Sequence, residues 1–404
     1  MNHQHFVLHR EHWSQSVMTA LPLLLFFPVA LMYIGLVLLI VAWLMSGNFL
    51  KKWQAVRISP LFYPNIAMLA VVAFNVVFLS QGNQRLWPAL VHYLIFFFLL
   101  LFMSLGTGSW QTRAKKVFFA GALYGASVYY LTYLGFLPDW KIFKNYASYG
   151  GNKSIALGIF LSIAGAWLLN DALWQTKKRS LWLGIAGYFY MGIAVLFLAT
   201  TRTGMLLFFF LSLIVVVRHF TLNLRGLVLA LSVVLIAGLA WQFSPHLRER
   251  TLVTVQAVQA FSKGVIGTGQ GNRLQFVQKT GEMILEKPWL GHGVGSWLEQ
   301  YPLRAKGLET SQMSTPHNDY LLYAAELGVI GLLALLGVFG SVFRMAWKTG
   351  GKHGIQLLVI GSAFFIGCAF NAILRDWKFG LPMMILLALA LTDAKRDTPS
   401  DVSQ

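Results

Sequence analysis

Apolar runs of bilayer length recur from one end of the chain to the other, and that repetition constrains the fold more than any single motif. A helix needs about 20 apolar residues to cross the hydrocarbon core. Val17–Ser46, Leu61–Ser80, Trp87–Gly106, Val117–Phe136, Ser154–Asn170, Leu181–Thr200, Thr203–Val217 and Leu227–Phe243 read as such runs. After a gap come Asn318–Phe343, Ile355–Ile373 and Phe379–Leu391. The first run would measure about 45 Å as one helix. It contains Pro22 and Pro28, which kink or break helices, so it reads as a tight pair. Composition agrees: 57% of residues are hydrophobic and 11% charged, where a soluble domain has roughly 25% charged. The predicted fold class is all-α, a polytopic helical membrane protein with about 12 transmembrane helices and one long, partly helical external (periplasmic) loop.

The formal net charge of +18 resides in the loops, which suits anionic headgroups and anionic substrates. No stretch is long enough for a soluble nucleic-acid reader, so nucleic acid is excluded as a partner. Lys51, Lys52 and Arg57, then Arg113, Lys115 and Lys116, then Lys177, Lys178 and Arg179, fall in one set of alternate loops. The other short loops hold fewer: Arg85, Lys141, Lys144, Lys153, Arg202, Arg375 and Lys378. The positive-inside rule then puts both termini in the cytoplasm and the long loop outside. The chain divides into helices one to nine over residues 1–243, the loop over 244–316, helices ten to twelve over 317–391, and a disordered cytoplasmic tail over 392–404. Met1–Ser16, with His3, His5, His9 and His12, reads as a solvated tail, because no Cys or carboxylate cluster accompanies the histidines. The one cysteine, Cys368, allows no intrachain disulfide.

Most of the polar chemistry is concentrated between Gly264 and Gly331. Within the loop, Glu249–Ser262 and Arg273–Leu285 have apolar residues at helical spacing. Three basic groups stand where outward-facing helices begin. Arg202 follows Thr200-Thr201, Arg273 follows Asn272, and His317 follows Thr315-Pro316, a cap and first-turn proline. Helix starts offer free N–H groups and positive dipole ends, and arginine adds a planar, bidentate grip on phosphate oxygens. A histidine in a first turn is favoured in its neutral form, which suits a general base. Together the three read as a diphosphate binder with a base beside it, provided that they converge.

Each residue also has a plainer reading. Arg202 could anchor in headgroups, Arg273 could be solvated, and His317 could bond within a loop-to-helix corner. His292 competes for the base role but is flanked by Gly291 and Gly293, as in a turn. Glu326 reads as an intramembrane acid paired with a basic residue. Trp289, Trp297, Tyr301, Tyr320 and Tyr323 could stack on sugar rings or form an interfacial belt. Asp376 could orient His317 or pair with Arg375.

Three motifs in order carry a resemblance. They are Arg202-x3-Leu206 within Thr-Thr-Arg-Thr-Gly; Asn-Arg273-Leu with Pro288-Trp-Leu-Gly-His-Gly-Val-Gly-Ser-Trp297; and His317-Asn318, nine residues, then Gly328. In this order the chain resembles the bacterial superfamily of O-antigen ligases, O-antigen polymerases and protein O-oligosaccharyltransferases, over roughly Leu181 to Leu333. The ligases are the nearer likeness by length, single long loop and His-Asn-x9-Gly pattern. The resemblance implies transfer of a glycan from an undecaprenyl diphosphate carrier to a sugar of the lipid A core, at the outer leaflet of the Gram-negative inner membrane. It implies His317 as base and Arg202 and Arg273 on the diphosphate, with Asp376 carried over on a loose spacing; Asn318, Trp297 and Tyr320 are further candidate site residues by position and type. No residue of the N-terminal half matches.

The chemistry expected is metal-independent and inverting, without a cofactor. The loop's acids, Glu249, Glu282, Glu286, Glu299 and Glu309, form no Asp-x-Asp pair, and hard divalent ions need several oxygen ligands. A polymerase or a protein O-oligosaccharyltransferase would use the same donor with another acceptor. A lipid-linked glycan transporter or flippase is the rival of another class. It should carry polar groups near the membrane midplane in repeated halves, and no such repeat is visible here.

Overall fold

A computed structural model describes residues 3–138, 152–199, 201–220, 224–243, 245–262 and 271–397. Outside the described residues lie Lys141, Lys144, Thr200, residues 264–270 of the polar stretch and the tail from 398 onward. The side chains of residues 3–11 and of Lys153 also lie outside them.

The chain is helical along its described length, as its apolar periodicity demands. Helices α1 (His3–Leu24), α2 (Val29–Met45), α3 (Phe49–Arg57) and α4 (Phe62–Phe78) come first. Next are α5 (Leu86–Tyr93), α6 (Ile95–Met103), α7 (Trp110–Tyr133), α8 (Asn152–Leu173), α9 (Lys178–Ile193), α10 (Arg202–Phe220) and α11 (Leu224–Phe243). The expected long loop contains α12 (Pro245–Ser262), α13 (Gly271–Glu286) and α14 (Ser296–Arg304), and α15 (Asp319–Thr349), α16 (Gly351–Phe370) and α17 (Trp377–Asp397) complete the bundle.

The first apolar run does split. Pro22 is carried inside α1, and the break falls at residues 25–28, with Pro28 at the N-cap of α2. The N-terminal stretch expected as a solvated tail is helical from His3, and at its end it is packed: Ser14 is buried, and Gln15 Nε2 donates to the Leu105 carbonyl at 3.2 Å. At the other end α17 runs to Asp397, so residues 392–397 of the expected disordered tail are helical. The count of about 12 spans is also not reached. Among the described residues, six helices are long and apolar enough to cross a membrane, or seven if α2 and α3, bent by 115°, count as one. The shortfall has a physical cause, since Phe62–Phe78 and Trp377–Leu391 are apolar but short.

Close packing sets the ends of these helices. Gly158 of α8 lies against Thr201 and Gly204, so that a Cβ on Gly158 would overlap the Thr201 hydroxyl. Ser162 Oγ donates to the Gly204 carbonyl at 2.8 Å. This seats the first turn of α10, and with it Arg202, on α8. A π-helical turn, Ala194–Leu198, immediately precedes that start.

Candidate active site

The Gly-rich stretch after Pro288 and the helix start at His317 fold onto one another. Within α15, Gly328 takes φ 68, ψ −169, which breaks the helix. The backbone of Trp289 and Leu290 fills the break: Val329 N–H donates to the Pro288 carbonyl at 2.7 Å and Ile330 N–H to that of Trp289 at 3.3 Å. His292 and Gly293 N–H donate to the Ala325 and Glu326 carbonyls, both at 3.0 Å. A Cβ on Gly291 or Gly328 would overlap backbone atoms of the other segment, so only glycine allows this approach.

Helix α4 and its following turn hold the same stretch from the other side. Asn75 Oδ1 and Ser80 Oγ both accept from Val294 N–H, at 2.9 and 2.7 Å, while Asn83 Nδ2 donates to the Val294 carbonyl at 2.7 Å. Glu326 is buried and accepts from Tyr93 Oη at 2.7 Å and from the backbone N–H groups of Gly295 and Trp297. The basic residue expected beside Glu326 is Arg375, which acts on it electrostatically without an ion pair among the described residues, and its hydrogen bonds make Glu326 a backbone clamp on the Gly-rich stretch. Sequence reasoning missed Asn75, Ser80, Asn83 and Tyr93. The available signal was amide side chains in and just after an apolar run, which are costly there unless bonded.

His317 does not lie in the first turn, as its sequence context predicts. It has φ 52, in the left-handed region, and its N–H donates to Thr315 Oγ1 at 3.2 Å. The N-cap is Asn318, whose Oδ1 accepts from Leu321 N–H at 3.0 Å, and whose Nδ2 reaches the Ala369 carbonyl at 3.0 Å. The sequence favours this because an Asn one residue later caps better than Thr before a proline. Asn318 is therefore a fastener between α15 and α16. Asp319, fully buried, accepts from Leu374 N–H at 2.8 Å and Arg375 N–H at 3.3 Å. That pins the turn that carries Asp376, which forms an ion pair with Arg375 at 3.5 Å.

Arg273 lies in the first turn of α13, which begins at Gly271, so Asn272 is inside the helix and not its cap. One turn on, the Phe276 ring lies 5.7 Å from the His317 imidazole, tilted against it. Behind Phe276 stand Tyr301, at 5.6 Å, and Trp297, stacked on Tyr301 at 4.4 Å. Trp297 is fully buried, with Nε1 donating to Thr280 Oγ1 at 3.0 Å, so its ring packs α13 against α14 and has no face open to a sugar. Tyr320 points to α16, its hydroxyl donating to the Phe365 carbonyl at 2.7 Å. His292 sits in its turn as expected, Nε2 at 2.8 Å from the Met283 carbonyl. At the start of α10, Asn371 Nδ2 donates to Thr203 Oγ1 at 2.8 Å, which brings the arginine end of α10 up to the Leu374–Asp376 turn.

The electrostatics tie the basic groups into one cluster. Burial lowers the Arg273 pKa, and the positive charge of Arg202 lowers it further. Burial lowers that of His317 from the ordinary histidine value, and Arg273 and Arg375 act the same way. Asp376 pushes it up, but the lowering influences win, which favours the neutral imidazole. Beside the arginines, Thr201 Oγ1 and Asn272 Oδ1 are buried oxygens without a hydrogen-bond partner among the described residues. Two mutually repelling guanidiniums, an imidazole favoured in its neutral form and underused polar atoms make a cluster suited to a multiply charged anion.

Residues 186–336 match the family model described as O-antigen ligase. The chain carries an O-antigen ligase family domain. A comparison with curated proteins finds no match. Over that segment, residues 186–336, the chain is similar to the O-antigen ligase family. Arg202, Arg273, His317 and Gly328 fall inside the matched O-antigen ligase segment. Arg375, Asp376 and the α4 and α5 residues that clamp the Gly-rich stretch fall outside it.

Proposed function

We propose that the chain is an inverting glycosyltransferase that moves an O-antigen glycan from undecaprenyl diphosphate to a sugar of the lipid A core. The observation that carries this reading is geometric: the start of α13, which holds Arg273, packs on His317 through Phe276 at 5.7 Å, and the start of α10, which holds Arg202, is fastened by Thr203 to Asn371 beside the turn that carries Asp376. In the reaction an acceptor hydroxyl attacks the anomeric carbon from the face opposite the diphosphate. The bond from that carbon to the phosphate oxygen breaks, and its electron pair leaves with the diphosphate. His317 Nδ1 or Nε2 takes the hydroxyl proton as the new glycosidic bond forms. Negative charge grows on the departing diphosphate, where Arg202 and Arg273 offset it in a site already partly desolvated.

In this reading the cluster faces the periplasm, both termini are cytoplasmic, and the membrane is the Gram-negative inner membrane. The uneven loop charges support that orientation. Asp376 sets the basicity of His317, and Asn318 and Asp319 position it. Metal independence is supported by the arginine pair and by the loop's scattered glutamates. The test is reconstitution. Purified protein is mixed with lipid diphosphate glycan and lipid A core, and the ligated product is sought by gel shift and mass spectrometry. Product on lipid A core supports a ligase, while lengthened glycan on the lipid carrier makes it a polymerase.

A further inference from the structure

A second set of basic residues lies around Ser104, at the far end of the Leu86–Met103 span from Arg85, whose backbone packs against Gly295 of the Gly-rich stretch. There a cavity of about 450 Å³ is lined by His12, Ser46, Lys51, Lys52, Ser104 and Arg113, among others, and no acidic residue is among the described residues that line it. Adjoining it is an apolar cavity of about 320 Å³ walled by Trp43, Phe49, Trp53, Phe97, Leu100 and Leu101. Lys52 and Ser104 line both. They form the seam: Trp43 Nε1 donates to Ser104 Oγ at 2.7 Å, and Lys52 Nζ donates to Ser46 Oγ at 2.7 Å and lies 4.4 Å from the Trp43 ring centre. Lys52 is buried, so a cation has been taken out of water at the junction of a polar and an apolar space. Helix α3, which supplies one wall, lies at 115° to α2 and exposes Phe49, Leu50 and Trp53, the habit of a helix lying in a membrane interface.

We propose that the two cavities form one binding site for an anionic phospholipid, with its phosphate in the basic cavity and an acyl chain in the apolar one. Charge complementarity selects the headgroup, and the shared seam requires a molecule that is anionic at one end and apolar at the other. The site is separate from the arginine–histidine cluster and does not depend on the function proposed for it.

The test uses the purified full chain in an uncharged detergent, with binding read by native mass spectrometry. The probes are dioctanoyl phosphatidylglycerol, dioctanoyl phosphatidylcholine and inorganic phosphate. Phosphatidylglycerol should bind at least tenfold tighter than phosphatidylcholine, and phosphate alone should not compete at millimolar concentration. Lys51→Gln with Arg113→Gln should lower phosphatidylglycerol affinity about tenfold, with the lipid-free Tm unchanged. Arg202→Gln with Arg273→Gln should leave it within twofold. Equal binding of the two lipids, full competition by phosphate, or loss only in the Arg202/Arg273 variant would each overturn the proposal.

Discussion

Gly328 and Trp289 meet backbone to backbone: the Trp289 carbonyl accepts from Ile330 N–H at 3.3 Å, inside the break that Gly328 opens in α15. The Gly-rich stretch is thus built into the helix that His317 precedes. A shift in one moves the other.

Gly328→Ala should therefore be damaging. The residue combines φ 68 with ψ −169, a region essentially reserved for glycine, and a Cβ would overlap the Trp289 backbone. Strain of this kind costs on the order of 1–3 kcal/mol before the overlap is counted. The expected outcome is a Tm several degrees lower in detergent, with transfer lost. Gly337→Ala, on the same helix where an added Cβ meets open space, is the control and should change neither.

Arg202→Ala and Arg273→Ala should each reduce turnover by about 10²–10³, the scale for removing a preorganised grip on developing charge. Lysine at either position should restore part of the rate, since it keeps the charge but loses the fork. Both variants should keep the wild-type Tm. Turnover close to wild type in either alanine variant removes that arginine from the mechanism.

The pH profile follows from His317. Its neutral form is the active base, and its pKa is lowered by burial and by Arg273 and Arg375. Activity should stay level at neutral pH and fall only below the ordinary histidine value of about 6.5. Asp376→Asn removes an influence that raises the pKa, so the acid limb should move further down. Arg375→Gln removes one that lowers it, and the limb should move up. The same sign governs stability. Below about pH 6.5 the unfolded chain binds the proton that the folded chain refuses, so acidification costs stability. Shifts in the opposite directions, read from initial rates against pH, would contradict this electrostatic account.

Transfer should persist in excess EDTA. If chelation abolishes it and Mg²⁺ or Mn²⁺ restores it, the arginine-only account of the departing diphosphate fails.

The sequence made the helices legible because bilayer-length apolar runs leave few alternatives, and the residues flanking Arg202, Arg273 and His317 marked helix starts. What it hid was long-range. Asn318 outcompeted Thr315 as the cap, which put His317 outside the helix at φ 52. Glu326 found Tyr93 and backbone N–H groups where an ion pair was expected, because the Gly-rich stretch folds down beside it. Trp297 read by residue type as a sugar platform or an interfacial aromatic, yet it is a buried packing residue whose partner, Thr280, lies on the preceding helix. Asn75 and Asn83 bond to Leu290 and Val294 across more than half of the chain, a pairing no local pattern reveals.

The most direct measurement compares His317→Ala with His292→Ala, for turnover and for donor affinity under identical conditions. His317→Ala should lose about 10²–10⁴ in turnover with donor affinity largely kept, as expected for a general base. His292→Ala gives up a buried hydrogen bond to the Met283 carbonyl, worth about 1 kcal/mol of stability, and should turn over near the wild-type rate. An active His317→Ala enzyme beside a dead His292→Ala enzyme would contradict the account.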